Sequence, residues 1–139
     1  MSYWDVPAKV RDLQIYQETV LVSQFTDGGA AAGLYTCSFQ LPVNFWLDRA
    51  ILTDVTGFAG DTTAVVIIGD GSDHDRLNTG TPSVATTQTI VNLGVPSGVL
   101  PVTTAFAPAI TVTGGADFTV FVTANVAKLT LQVWGYMVR

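Results

Sequence analysis

At 139 residues and 14.7 kDa, 48% hydrophobic and only 12% charged, the chain has the size of one domain with one core. Its net charge is −5, and its basic residues (Lys9, Arg11, Arg49, Arg76, Lys128 and Arg139) are scattered, so no cationic patch marks a nucleic-acid interface. The lone Cys37 excludes an internal disulfide, and no stretch is long and apolar enough for a membrane-spanning helix.

Folding should remove roughly two-thirds of the unfolded chain's surface from water. Charge this sparse leaves apolar area outside, which is expected to meet another protein. Residues 1–16 read as an extended arm before a domain at 17–139. The arm opens without the basic and apolar blocks of a signal peptide. Tyr3 and Trp4 are poorly suited to water and should dock on the body of the protein or on a neighbouring copy.

Glu18–Phe25 reads as the first strand, with Thr19, Leu21, Ser23 and Phe25 alternating against Val20, Val22 and Gln24. A small-residue loop then leads to a second strand, Leu34–Gln40, which carries Cys37 and Phe39 and is stopped by Pro42. Asn44–Leu47 reads as an aromatic corner. Over Arg49–Thr56, Ile51, Thr53 and Val55 alternate with Ala50, Leu52 and Asp54. Thr62–Gly69 holds Val65, Val66, Ile67 and Ile68 in succession, which predicts a strand covered on both faces.

Pro82, Pro96, Pro101 and Pro108 break up the next stretch, leaving one strand, Ala85–Asn92, among long connections of the Greek-key kind. Ala109–Thr113, Gly114-Gly115 and Asp117–Thr123 predict a hairpin. Val126–Val138 is expected to be the longest strand. The pattern, with no amphipathic helix and no fixed repeat, predicts an all-β fold: an eight-stranded antiparallel jelly-roll sandwich.

In the last strand Ala127, Leu129, Leu131, Val133, Gly135 and Met137 form an apolar core face. The other face, Lys128, Thr130, Gln132, Trp134 and Tyr136, ends in two large aromatics of the types enriched at interface centres. Trp134 and Tyr136 are therefore expected at a subunit contact, the alternative being that the amino-terminal arm covers them.

Chemistry would concentrate in Asp70–Arg76. Asp70, Asp73 and Asp75, with Ser72, are oxygen donors of the kind calcium takes. The spacing misses the EF-hand pattern, with Ser72 third, His74 fifth, and neither the glycine nor the distal glutamate in place. A structural loop is the preferred reading: a turn at Asp70-Gly71, with Asp73 or Asp75 bonding loop amides and pairing with Arg76. A single histidine, His74, is too few for a zinc hydrolase or a cupin. Cys37 lies mid-strand, no G-x-S-x-G elbow is present, and nothing among Glu18 and the aspartates marks a facing carboxylate pair. The expectation is a protein that is not an enzyme and has no cofactor.

The stretch VVIIGDGSDHDRLNTG is similar to the G-D-G-[ST]-D-x-D-R-[FL] segment of small jelly-roll virion proteins of tailed bacteriophages. The ending, ITVTGGADFTVFVTANVAKLTLQVWGYMVR, looks like theirs too, and the resemblance covers about residues 45–139. Within that group the chain resembles the capsid decoration, or cement, proteins. The resemblance implies a homo-oligomer, a trimer, made in the host cytoplasm. It would bind the major capsid protein on the capsid surface and stabilise the head, with Tyr3, Trp4, Trp134 and Tyr136 at oligomer or capsid contacts. The alternative is a receptor- or glycan-binding jelly roll of a tail fibre whose acidic loop holds calcium.

Overall fold

The computed structural model describes residues 11–29, 31–58, 63–78, 80–84, 88–92, 101–115, 117–119 and 127–138. Tyr3 and Trp4 lie outside them. The described residues are all-β, with almost no helix. One antiparallel sheet has long strands, in the order β1 (Arg11–Leu21), β8 (Lys128–Val138), β4 (Phe45–Thr56) and β6 (Gln88–Asn92). The other is short, in the order β2 (Thr26–Asp27), β3 (Ala32–Thr36), β7 (Ala109–Thr113) and β5 (Val65–Gly69). β2 has only two residues, whereas the other strands have five or more.

The pairing has a simple order. β1 pairs with β8, β3 with β7 and β4 with β6, so early strands meet late ones and middle strands meet each other. A bridge from Val65 to Ser83 sets a further segment beside β5. One core lies between the sheets, with Phe45, Leu52, Leu129 and Leu131 from the long sheet. Val66, Ile68, Ile110 and Val112 come from the short one, and Phe58, Leu77 and Phe118 from the connections.

The core face read for the last strand is the observed one, with Leu129, Leu131, Val133 and Gly135 all buried. Other expectations need correction. The first strand begins at Arg11, so residues 11–16 of the expected arm belong to the sheet. It ends at Leu21, where Val22–Gln24 makes a 3-10 turn and the Gln24 side chain accepts the Leu21 N–H (2.8 Å). The second strand stops at Thr36, after which the Cys37 N–H donates to the Pro108 carbonyl (2.8 Å).

In β4 the expected alternation holds through Ala50 and Leu52 and then breaks. Asp54 adopts φ +49° and the register with β8 shifts between Thr53 and Thr56, which turns Val55 into the core. β4 begins at Phe45, within the expected aromatic corner, and at twelve residues it is longer than β8. β5 buries Val66 and Ile68 fully but leaves Val65 and Ile67 half-buried, so it is not covered on both faces. The expected hairpin is absent because β7 already has β3 on one side and β5 on the other. Phe118 enters the core instead, against Gly33, where a Cβ would come within 2.0 Å of its ring. Residues 120–126 lie outside the described residues.

Candidate interaction face and the acidic loop

The outward face of the long sheet can be read in rows across β1, β8 and β4. Leu13, Tyr136 and Trp46 form one row, and Ile15, Trp134 and Arg49 the next. Gln17, Gln132 and Ile51 follow, then Thr19, Thr130 and Thr53. Apolar and aromatic groups thus collect at one end of the face and hydroxyls at the other. Leu13 is 53% exposed and Ile15 47%, which is high for such side chains. Trp134 is half-buried under the Arg49 guanidinium, 4.5 Å from its ring centroid, and its indole N–H donates to Gln132 Oε1 (3.2 Å). Of the residues singled out in the sequence, the fold brings Trp134 and Tyr136 together on this face. Leu13, Ile15, Trp46 and Ile51 were not anticipated there. Their signal was the alternation of Leu13 and Ile15 inside the expected arm.

The acidic loop follows β5 directly. Asp70, rather than Asp73 or Asp75, organises it. Its Oδ1 accepts the N–H groups of Ser72 (2.7 Å) and Asp73 (2.6 Å) and the Ser72 hydroxyl (3.0 Å). Its Oδ2 takes Arg76 Nη1 at 2.8 Å. The Asp73 N–H above all, then Arg76 and Ser72, hold the Asp70 carboxyl well below the usual carboxylate range against the opposing effect of burial. The Arg76 guanidinium stacks 4.4 Å over the Phe106 ring. Asn78 anchors the far end of the loop: its buried Oδ1 accepts the Ile68 N–H (2.7 Å) and its amide donates to the Gly80 carbonyl.

Asp73, His74 and Asp75 are exposed around this frame, and among the described residues no group of three potential ligands converges on a metal position. A calcium ion would need Asp70 oxygens that already hold four donors. The residues present do not fit the ion. Beside the loop an open depression of about 520 Å³ is lined by Asp70, Gly71, Ser72, Arg76, Thr104 and Phe106.

A second carboxylate joins the two sheets. Glu18 on β1 accepts the Ser38 N–H (2.9 Å), the Ser38 hydroxyl and the Tyr35 hydroxyl. Burial pushes its pKa up, but the bonds from Ser38 and Tyr35 outweigh that and hold it below its ordinary value. The same contact, more than burial, raises the Tyr35 phenol to about 12. Cys37, next to Ser38, is buried, and that burial followed by the Glu18 charge pushes its thiol up to about 12, the opposite of an activated nucleophile.

Because Glu18 and Asp70 are lowered on folding, their stabilisation is complete above the unfolded carboxylate values of about 4 and is lost as pH falls through the folded ones. Denaturant unfolding followed from pH 6 downward should therefore show stability falling below about pH 4. Glu18→Gln should be less stable at pH 6 and lose less on acidification. A variant with the parent's full acid dependence would remove Glu18 from this account.

No helix among the described residues is long and apolar enough to cross a membrane. No protein-family model matches the chain, and no curated protein or solved structure matches it either.

Proposed function

We propose that this chain is a virion structural protein that decorates and stabilises the outside of a phage capsid as a homo-oligomer. The observation that carries the reading is the outward face of the long sheet, where Leu13, Ile15, Trp46, Trp134 and Tyr136 gather on neighbouring strands. Such a face suits protein contact, and Trp and Tyr are the types that dominate binding energy at interface centres. The strand pairing supports a jelly roll, since first-with-last and middle-with-middle pairing is what rolling a doubled ribbon produces. The proposed partners are copies of the chain and the major capsid protein, with the resemblance implying three copies. The function is mechanical: extra buried area across joints in a shell, multiplied by attachment at several points.

The test is reconstitution. Purified protein added to stripped phage heads should rebind and raise their disruption temperature. Trp134→Ala should weaken rebinding about tenfold, a loss of about 1.4 kcal/mol. Heads that neither bind the protein nor gain heat resistance would overturn the reading.

The depression beside Asp70 favours a second reading, a receptor- or glycan-binding jelly roll of a tail fibre, because Phe106 stands in its wall. A sugar stacking on that ring would have to displace Arg76. Binding on a glycan array that Phe106→Ala abolishes would support it.

A further inference from the structure

We propose that β1 is an interface strand, pairing antiparallel with β1 of a second copy about a two-fold axis at Tyr16. This rests on the homo-oligomer reading above and specifies its contact. β1 is the outermost strand of the long sheet, and among the described residues only β8 pairs with it. The Val22 N–H donates to the Ala127 carbonyl (2.8 Å), which sets the alternation along the strand. Val20, Glu18, Tyr16 and Gln14 direct their backbone groups toward β8, whereas Thr19, Gln17, Ile15 and Leu13 direct theirs to the open side. The Thr19 and Thr130 hydroxyls meet at 2.8 Å, as expected of a close pair without ladder bonds. Leu21 continues the open series, but Gln24 accepts its N–H and closes that end.

The open ladder is therefore Arg11, Leu13, Ile15, Gln17 and Thr19, of which the last four are symmetric about Tyr16. A second β1 reversed about Tyr16 sets Leu13 opposite Thr19 and Ile15 opposite Gln17, and all their backbone groups find partners. In this register Gln14 faces Glu18 of the second copy. An axis at Ile15 would oppose Asp12 and Glu18, two carboxylates. An axis at Gln17 would set Leu13 against Leu21, whose N–H is already taken. An axis at Tyr16 leaves only Arg11 facing the closed Leu21, and it is the charges that select it over an axis at Ile15.

Both edges of the short sheet are protected. β2 is two residues long, and β5 is bridged by Ser83. Among the described residues nothing bridges β1: its register with β8 is unbroken over eleven pairs, it contains no lysine or proline, and Leu13 and Ile15 stand exposed beside its open side. The axis is perpendicular to the sheet, so the joined sheet carries both outward faces on one side. The contact closes with two copies, where the resemblance implies three.

Sedimentation of the full chain over a range of concentrations, combined with amide exchange, tests this. The expected result is a dimer in which the Leu13, Ile15, Gln17 and Thr19 amides are protected and lose protection on dilution, while Glu18 and Tyr16 stay protected. Gln17→Pro removes one edge donor and leaves the β8 side intact, and should raise the dimer dissociation constant at least tenfold. Gln14→Glu sets a carboxylate against Glu18 of the second copy, and should raise the constant several-fold, less so in high salt, with unchanged melting of the monomer. A monomer at all concentrations, a trimer, or a dimer whose four odd-numbered amides exchange freely would overturn the proposal. Heads that bind protein unpaired at β1 would remove this contact alone, and a β1-paired dimer that ignores heads would remove the capsid reading alone.

Discussion

Phe45→Ala should lower stability by about 4 kcal/mol, a large part of the roughly 5–15 kcal/mol that holds such a domain folded. The ring is fully buried where β1, β8 and β4 meet. It stands edge-on to Tyr16 of β1, with centroids 5.6 Å apart and planes at 84°. On β8 it occupies the space over Gly135, where a Cβ would lie 2.4 Å from its Cζ. The Phe45 backbone is also fixed, since its carbonyl accepts the Val102 N–H (2.9 Å). With strands on each side held by ladders, the hole left by alanine cannot close by a local shift, so the cavity adds to the lost burial. Denaturant unfolding with an unchanged slope is the measurement. A loss below about 1.5 kcal/mol would mean that the site collapses and the packing account is wrong.

Gly69→Ala is expected to cost about 3 kcal/mol or more and to release the acidic loop. A Cβ here would lie 1.9 Å from the Asp73 carbonyl oxygen and 2.5 Å from the His74 carbonyl carbon. Both are backbone atoms, so nothing can rotate aside. The loop returns at this point to bond the strand, with Asp70 N–H to Asp73 O and Leu77 N–H to Ile68 O, each 2.9 Å. Relieving the clash must lengthen those bonds and draw Asp70 away from its donors. Gly71→Ala, two residues on, meets nothing within 4 Å and should change stability by less than about 0.5 kcal/mol. Melting temperatures for the pair, with amide exchange at Ser72 and Asp73, decide the matter; equal effects from both would show that space at Gly69 is not the constraint.

The features legible in the sequence were those fixed by local alternation. The Leu129, Leu131, Val133 face could be read because one side of β8 is apolar throughout, and Trp134 and Tyr136 stood out against it. The first part of β1, before Glu18, was hidden because its apolar residues, Leu13 and Ile15, point outward, reversing the usual rule for a half-buried strand. The break at Asp54 arises from the register with β8, which no neighbouring residue encodes. The hairpin expected after Gly114-Gly115 failed for a non-local reason, both sides of β7 being taken by distant strands. In the acidic loop the turn was correctly placed, but any of its aspartates could have been the one to gather the amides. Only the return of the chain past Gly69 selects Asp70.

β8 lies between β1 and β4, yet the ribosome makes it after both. Thr19 must wait for Thr130, 111 residues later, before the two hydroxyls can meet. The long sheet therefore cannot be completed as the chain emerges: β4 can pair with β6, but β1 and the other side of β4 lack their partner until β8 has been made. Slow folding with an aggregation-sensitive interval follows from that order of manufacture, and substitutions in β8 should depress soluble yield more than equally buried changes in β5.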